Sequence, residues 1–389
     1  MGWGWARMIE LLSVLPATRA RAGDQITSVE TFLVRVPLPQ PVRNGTALIT
    51  EREYLLVRVT TASGAIGVGC AFTRSAPLRP IVDDFLAPQI IGRSVFDVQN
   101  ISADLFRSGE LFLGRTGAFP RALSLVDIAL WDAMGSISGL SLAEQLGGSG
   151  AGVPTLMALG YYQSGDEIAL LQAEYSELVD QGFRRFKMMA GGATLEHDVR
   201  RVAAVKEVLP PDATLAVDVN GAWASAREAL TFLDAVDTEF SFIEDPFLPD
   251  NLAALTAFRK HSSAIVAVGE WESSRYRFLE LLKLDLLDIA RVDATAVGGI
   301  TEWMRIAAVV AAHDKRVLPH YYPEIHRHLV AACPVAEAIE VVPRLTGADN
   351  YHVLVRSTPW EDAPHVPSLT TPGLGIEWNW ESIEQLGND

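Results

Sequence analysis

The chain has 389 residues, of which 49% are hydrophobic and 21% charged, and this composition excludes a disordered or fibrous protein. Its 32 basic and 48 acidic residues give a net charge of −16 without any cluster of Lys or Arg, which argues against nucleic acid or an anionic membrane as a partner. Cys70 and Cys333 are far apart and outside metal-ligand spacing, so we expect no disulfide framework, no zinc site and a cytoplasmic location.

The first 24 residues contain a short apolar stretch, Met8–Leu15, that superficially resembles part of a signal peptide. Because Glu10 interrupts this stretch, we expect a loose N-terminal tail over residues 1–24 rather than an export signal. No run approaches the ~20 consecutive apolar residues that a membrane span needs.

Residues 25–150 have the pattern of an α+β domain. β-Branched and aromatic residues with a turn at Ala62-Ser63-Gly64 predict a small antiparallel sheet of Ile26–Val36, Tyr54–Thr61 and Ala65–Val68. Apolar residues at three- and four-residue spacing then predict helices at Pro80–Ile90, Asp97–Phe106 and Arg121–Ile137. The glycine cluster at residues 147–150 marks the predicted end of this domain.

From residue 151 onward, short apolar strands alternate with amphipathic helices. The alternation begins with Thr155–Leu159, Glu167–Asp180, Arg185–Met189, His197–Val208 and Thr214–Val219. Repeated βα units predict parallel strands inside a shell of helices. An open doubly wound sheet would show the same alternation, but no Gly-rich dinucleotide turn follows the first strand. The predicted fold class is therefore α/β, with a (β/α) barrel after an α+β domain.

Ionisable residues close or follow the apolar runs at a regular interval. Their separations along the chain are 31, 26, 26, 23, 27 and 20 residues, for Lys187, Asp218, Glu244, Glu270, Asp293, His320 and Glu340. A (β/α)₈ barrel of roughly 200 to 250 residues uses about 25 to 30 residues per unit. These groups thus recur with the period of a barrel, and we expect them at its C-terminal face, where barrel active sites are built.

Three of these groups are carboxylates on consecutive predicted strands. If Asp218, Glu244 and Glu270 converged without a partner they would repel one another, and a hard dication such as Mg²⁺ resolves the repulsion. Asn220 lies two residues after Asp218 and so points to the same side, where its amide is a candidate to hold metal or substrate. Any one acid could be a solvated loop charge or a helix cap, but the spacing of the set favours a metal site.

Four further side chains are candidates for proton transfer or charge neutralisation. Asp293 and His320 lie one βα unit apart, so the carboxylate would orient the imidazole and make it a better base. Lys187 would point into the barrel and could neutralise a substrate carboxylate, with a structural ion pair as the alternative. Glu340, if protonated, could hydrogen-bond a developing oxyanion; the alternative is a charge paired with Lys187 or solvent.

Several segments together resemble the enolase superfamily, in its mandelate racemase-like branch, over nearly all of residues 26–384. The segments are Ala129-Leu130-Trp131-Asp132, Asp218-Val219-Asn220, Glu244-Asp245-Pro246, Gly269-Glu270, Asp293, Gly298-Gly299-Ile300-Thr301, His320, Glu340 and Pro372-Gly373-Leu374-Gly375. The resemblance implies a modified TIM barrel, residues 151–360, under an α+β capping domain that the C-terminal segment 361–389 completes. It also implies one Mg²⁺ per subunit on Asp218, Glu244 and Glu270, an Asp293–His320 catalytic dyad, and a homo-oligomer between dimer and octamer.

One position departs from the family pattern. Members commonly carry Lys-x-Lys on the second barrel strand, with the second lysine as a base, whereas this chain has Lys187 followed by Met189. Racemisation by direct proton transfer needs proton carriers on both faces of the reacting carbon, so we do not expect a racemase. The resemblance then favours a Mg²⁺-dependent acid-sugar dehydratase. In it, His320 would take the proton α to a carboxylate and protonate a departing β-hydroxyl, giving a 2-keto-3-deoxy acid.

Two other functions, and a different stereochemistry of elimination, are also compatible with the sequence. A racemase, epimerase or cycloisomerase of the same superfamily would need another base or a reaction that uses His320 alone. A non-catalytic binding protein on the same barrel would bind metal and ligand without proton exchange. If His320 serves as both base and acid the elimination is syn, whereas an anti elimination needs another acid, for which Tyr161, Tyr162 and Tyr322 are candidates.

The expected partner is a small-molecule carboxylate, a sugar acid on the leading reading. By resemblance, its recognition would lie in capping-domain loops near Leu38–Glu53 and Gly69–Ser75. These segments contain Arg43 and Arg74, candidates for anionic or polar substrate groups, and Tyr161 is a further candidate. Neither segment distinguishes a monoacid from a diacid.

Overall fold

The structure is a computed structural model that describes residues 24–45, 47–149, 152–163, 167–366 and 369–387. Except for Asp24, the predicted tail lies outside the described residues, as does part of the predicted boundary at residue 150. The domain boundaries stay predictions. Among the described residues, no helix is both long enough and apolar enough to cross a membrane.

The N-terminal part is built on a three-stranded antiparallel sheet in the order β1-β2-β3, with β1 at Ile26–Asn44, β2 at Ala47–Thr61 and β3 at Ile66–Phe72. The sheet was predicted, but the loop assignment of Leu38–Glu53 is wrong, because this segment forms the two arms of a long hairpin. The segment Gly69–Ser75 is likewise not all loop, since β3 runs to Phe72. Strand β1 can carry the prolines of its outer arm because it is an edge strand, and its register shifts between Pro37 and Val42.

Helices cover this sheet on one side. A run of helical turns from Leu78 to Ile90 and a 3₁₀ turn at Val95–Asp97 precede α1, Val98–Glu110, and α2, Ala118–Ser138, and a short helix follows at Leu142–Gln145. The long helix α2 lies directly on β3, where a Cβ added to Gly69 would come within 2.1 Å of the carbonyl oxygen of Leu125. Only glycine permits this approach. The contact fixes α2 against the end of β3.

Eight parallel strands follow, each short, with helices between them. The strands are β4 Val153–Leu159, β5 Arg185–Met189, β6 Thr214–Asp218, β7 Ile243–Glu244, β8 Val266–Val268, β9 Ile289–Ala290, β10 Arg316–Val317 and β11 Ile339–Val341. The helices are α3 Glu167–Asp180, α4 Leu195–Val208, α5 Ala226–Ala235, α6 Leu252–His261, α7 Arg275–Lys283, α8 Ile300–Ala311 and α9 Pro323–Ala332.

These strands form a closed barrel. They pair in chain order from β4 to β10, and β11 pairs with β4. The ring closes where Val317 of β10 bridges to Ala336 and its carbonyl accepts a hydrogen bond of 3.1 Å from the Glu337 amide. The modified TIM barrel with an N-terminal capping unit is confirmed.

The end of the chain returns to the first sheet. After β12, His365–Val366, which pairs antiparallel with β4, the chain ends in α10, Trp380–Leu386. The Trp380 ring lies 5.3 Å from that of Phe32 on β1, and the Arg58 guanidinium lies 4.8 Å from the Trp380 ring centroid. These contacts hold the last helix on the exposed side of the hairpin.

Candidate active site

Strand alternation explains why so many charged groups meet at one end of the barrel. One buried apolar cluster fills its interior, formed by Leu156, Ala216, Phe242, Ala267, Ile289, Leu318 and Ala338. Side chains two residues apart on a strand point the same way. The next inward positions, at the C-terminal mouth, are therefore held by Asp218, Glu244, Arg291, His320 and Glu340.

The three predicted metal ligands converge. Asp218, Glu244 and Glu270 are all buried, and one carboxylate oxygen from each lies within 4.8 Å of the others. Burial raises the pKa of Asp218 to about 7, with the charges of Glu244 and Glu270 adding to the effect and that of Lys187 opposing it. The set has an excess of negative charge that a cation would relieve.

Asp245 adds a fourth carboxylate beside this set. It is buried, its backbone is left-handed with φ of 38°, and its Oδ2 has no hydrogen-bond partner among the described residues. Burial, together with the charge of Glu270, raises its pKa well above the ordinary value. Clustered oxygen donors with an unpartnered buried carboxylate oxygen fit a hard dication such as Mg²⁺.

Lys187 contacts protein carboxylates and not the open mouth of the barrel. Its Nζ donates to Asp218 at 2.9 Å and to Glu244 at 2.8 Å, and it lies 2.8 Å from Glu340. Burial opposes its charge, but the three carboxylates raise its pKa well above the ordinary value. These contacts match the alternative named from the sequence, a structural ion pair, and the neutralisation of a substrate carboxylate by Lys187 stays a prediction.

Arg291, which sequence reasoning missed, makes the second half of this ion network. The fully buried guanidinium donates from Nε to Glu244 at 2.8 Å and from Nη2 to Glu340. The sequence contained a feature that predicts it, because Arg291 stands two residues before Asp293 and therefore points to the same side. Burial opposes ionisation of Glu340, but Arg291 and Lys187 lower its pKa to about 2. This arrangement favours the ionised form of Glu340, paired with Lys187 and Arg291, and its role as a protonated hydrogen-bond donor stays a prediction.

The dyad has the geometry that the sequence predicted. His320 Nδ1 donates to Asp293 Oδ2 at 3.1 Å, and its Nε2 lies 2.8 Å from Glu270 Oε2. Asp293 is also held by the amide and hydroxyl of Thr295, both at 2.7 Å. Burial alone would lower the pKa of His320, but the charge of Glu270 and the hydrogen bonds to Asp293 and Glu270 raise it to about 10.

On the opposite side of the mouth, the position at the end of β5 is held by a methionine, which cannot carry a proton. Met189 ends β5, is 2% exposed, and its Sδ lies 3.6 Å from Nδ2 of Asn220. Asn220 has φ of 51°, and both its main-chain amide and its Nδ2 donate to Asp218 Oδ1, at 3.0 and 2.8 Å. The predicted proximity of Asn220 to the metal ligands is thus present in the structure.

The predicted substrate residues have different surroundings. The main chain of Arg43 pairs with Tyr162, while its exposed side chain has no hydrogen-bond or ion-pair partner among the described residues. The Arg74 guanidinium lies 4.4 Å from the ring centroid of Trp271, next to Glu270. Tyr161 is buried at the end of β4 within the electrostatic field of Lys187 and Asp218, and burial raises its pKa well above the ordinary value.

Two of the three candidate tyrosine acids have their hydroxyls engaged elsewhere. Tyr162 Oη donates to Asp198 at 2.6 Å and accepts from the Gly192 amide at 2.9 Å. Tyr322 Oη accepts a hydrogen bond of 2.7 Å from the Phe72 amide, and burial raises its pKa well above the ordinary value. Tyr161 is the candidate whose hydroxyl has no such bond among the described residues.

Family comparisons agree with this geometry. The mandelate racemase/muconate lactonizing enzyme N-terminal domain matches residues 26–147, and the enolase C-terminal domain-like family matches residues 170–382. The chain belongs to the mandelate racemase/muconate lactonizing enzyme family of the enolase superfamily. The resemblance drawn from the sequence is confirmed.

Several members of this family are similar over most of their length. D-galactarolactone cycloisomerase of Agrobacterium fabrum is 28% identical over 93% of this chain and 98% of its own. L-talarate/galactarate dehydratase of Salmonella typhimurium is 28% identical over 83% of each chain. Among solved structures, L-talarate dehydratase from Polaromonas sp. JS666, in complex with Mg and L-glucarate, superposes with a TM-score of 0.80 at 25% identity, covering 93% of this chain and 97% of that chain.

Proposed function

We propose that this protein is a Mg²⁺-dependent acid-sugar dehydratase of the family. The observation that carries the proposal is the asymmetry of the barrel mouth. The Asp293–His320 pair stands beside the carboxylate triad on one side, and Met189 occupies the lysine position on the other. One proton carrier suffices for an elimination in which the same group removes a proton and then delivers it.

In this proposal Asp218, Glu244 and Glu270 hold one Mg²⁺ per subunit. The bound ion supplies Lewis-acid stabilisation of the negative charge that develops on the substrate carboxylate. Lys187 and Arg291 keep the ligand carboxylates in place through the ion pairs described above. Glu340 forms ion pairs with both Lys187 and Arg291 and so fixes their side chains. Asn220 orients Asp218 through its hydrogen bonds.

His320 performs both proton transfers. With Glu270 engaged by the ion, its bond to His320 would open, and Nε2 would give up its proton to solvent and face the substrate as a free base, while Asp293 keeps Nδ1 protonated and fixes the ring. Nε2 then takes the α-proton, and the imidazolium protonates the β-hydroxyl as its C–O bond breaks. Water leaves, and the enol tautomerises to a 2-keto-3-deoxy acid. Because one residue acts on one face, the elimination is syn.

A cycloisomerase is the second candidate, favoured by the 28% identity to D-galactarolactone cycloisomerase over 93% of this chain. Such a reaction would use the same His320-dependent proton abstraction. It differs from dehydration in leaving the mass of the substrate unchanged. The oligomeric state and the cytoplasmic location stay expectations from the sequence.

The test is a screen of the purified protein with Mg²⁺ against a library of sugar acids and their lactones. Semicarbazide detects the 2-keto acid, and mass spectrometry detects the loss of one water. We expect a keto-acid product that is 18 Da lighter than the substrate, formed at least about 10³-fold more slowly by His320→Asn. A product of unchanged mass would favour the cycloisomerase, and keto-acid formation that survives in His320→Asn would contradict the proposal.

A further inference from the structure

An arginine that belongs to none of the family's sequence motifs lies near the barrel mouth. Arg121 lies in the first turn of α2, is half-buried, and forms no hydrogen bond or salt bridge with any described residue. A partly buried guanidinium without a carboxylate partner is costly to keep charged, and natural proteins usually pair it. The N–H donors of its guanidinium are therefore available to bind a ligand.

The packing of α2 places Arg121 at the junction of the capping sheet and the barrel. One turn further along α2, Ser124 Oγ accepts a hydrogen bond of 2.9 Å from the Gly298 amide, in the loop that follows Asp293. On the same helix, Leu125 contacts Gly69 near the end of β3. Arg121 is therefore close to both the end of β3 and the loop carrying Asp293.

Arg74 reaches the same place from the end of β3. Arg74 and Ser75 both have left-handed backbones, with φ of 50° and 61°. Residues other than Gly, Asn and Asp seldom adopt this conformation. This turn is fixed because Thr73 Oγ1 donates to Glu53 Oε1 at 2.5 Å and accepts from the Ser75 amide at 3.1 Å. The Arg74 guanidinium then lies over Trp271, which is 42% exposed at the mouth.

The Arg121 and Arg74 guanidiniums influence each other electrostatically, and within the part of the chain that the structure describes neither forms an ion pair with a carboxylate. Burial and the like charge of Arg74 lower the pKa of Arg121, and the carboxylates of Asp293 and Glu270 partly offset this effect. Those two carboxylates are already engaged by His320, at 3.1 and 2.8 Å. Two neighbouring positive charges at the entrance of an otherwise acidic site favour an anion from outside.

We propose that Arg121 and Arg74 bind a second carboxylate of the substrate, at the end remote from the reacting carbon. The inference rests on the proposed function and narrows it, because the substrate is then a dicarboxylic sugar acid. The carboxylate next to the reacting carbon belongs to the metal side, where Lys187 and Arg291 are already used. The arginines of the capping unit are the cations left to recognise the other end.

The experiment compares binding of matched acids by the His320→Asn protein with Mg²⁺, since this variant retains the pocket without turnover. The probes are the hexarates, among them glucarate and galactarate, each paired with the hexonate of the same configuration. Isothermal titration gives both affinities. We expect at least one hexarate to bind at least 30-fold more tightly than its hexonate.

Variants of Arg121 and Arg74 test whether these two residues cause the preference for the hexarate over the hexonate. Arg121→Gln and Arg74→Gln should each weaken hexarate binding at least tenfold while hexonate binding changes less than threefold, and Arg121→Lys should recover part of the loss. Arg107→Gln, an exposed arginine of α1, is the matched control and should change neither. Thermal melting verifies that each variant is folded.

Absence of any hexarate preference, or equal loss of both acids in Arg121→Gln, would overturn the inference. Its failure is separable from that of the proposed function. Keto-acid formation from hexonates without hexarate preference would retain the dehydratase and reject the arginine site. Tight hexarate binding without any dehydration by the wild type would do the reverse.

Discussion

Asn44 Nδ2, at the tip of the β1–β2 hairpin, donates a hydrogen bond of 2.8 Å to Asn220 Oδ1, two residues beyond the proposed metal ligand Asp218. Asn220 in turn donates to Asp218 Oδ1. The capping unit therefore orients a group that contacts the metal site. A side chain that belongs to the substrate-recognition part of the fold is coupled to the part that performs the chemistry.

Removal of this bond should weaken the metal site. We expect Asn44→Ala to weaken Mg²⁺ binding about fivefold to tenfold, because a hydrogen bond of about 1 kcal/mol no longer fixes Asn220. Titration calorimetry with Mg²⁺ measures the change. Asn100→Ala, the same substitution on exposed α1, should leave the affinity unchanged. Equal Mg²⁺ affinities for wild type and Asn44→Ala would show that the bond has no such role.

Arg291 should be essential to stability as well as to the site. Arg291→Met leaves Glu244 and Glu340 as buried charges that Lys187 alone must neutralise, and the free energy of unfolding should fall by about 3 to 5 kcal/mol. Urea unfolding measures it. Arg316→Met breaks an exposed pair with Glu337 and should cost less than about 1 kcal/mol. Similar losses in the two variants would contradict the assignment of Arg291 as the central cation.

Because Met189 on β5 cannot carry a proton, we expect proton exchange on only one face of the substrate. Wild type should exchange the α-proton of only one C2 epimer with solvent, because His320 is the proton carrier on one face. Met189→Lys, nearly isosteric, should add exchange of the opposite epimer, measured by NMR in D₂O. Met189→Leu should not. Exchange of both epimers by the wild type would mean that a base other than His320 serves the Met189 side.

A buried histidine should make the protein sensitive to acid. Burial lowers the pKa of His326 to about 4, and its Nε2 accepts from the Ala294 amide at 3.1 Å. Since the unfolded chain binds a proton near pH 6.5 and the folded chain does not until about pH 4, stability falls as the pH drops through this window. The contribution is about 3 kcal/mol.

His326→Gln should therefore flatten the dependence of unfolding free energy on pH between about 6.5 and 4, followed by urea denaturation at several pH values. His261→Gln, at an exposed position on α6, is the control and should leave the slope intact. An unchanged slope in His326→Gln would contradict the linkage. His328, whose pKa burial lowers to about 3, accounts for acid sensitivity that survives.

The sequence predicted the barrel and its strand-end acids because both follow from a period. Asp218, Glu244 and Glu270 come at intervals of one βα unit, and alternation along each strand then determines which side chains point inward. Such local regularities are visible without knowledge of distant contacts. These two regularities were enough to predict that the triad converges and that Asp293 lies beside His320.

The residues that were missed depend on tertiary pairing. The segment Pro37–Pro41 has the composition of a loop, and only its place at the sheet edge lets β1 continue through it. Asn44 meets Asn220 across 176 positions of sequence, which no spacing rule predicts. Arg121 has the pattern of an ordinary helix-surface arginine, and only the packing of α2 against the loop that follows Asp293 reveals its place near the barrel mouth. These positions lie at the contact between the capping unit and the barrel.

The most direct test of the central claim follows the reaction in D₂O by NMR, with wild type and His320→Asn side by side in the presence of Mg²⁺. We expect wild type to form a 2-keto-3-deoxy acid with one deuterium at C3, and His320→Asn neither to dehydrate the substrate nor to exchange its α-proton. Dehydration or α-proton exchange at wild-type rate in His320→Asn would contradict the claim that His320 is the proton carrier of a dehydratase.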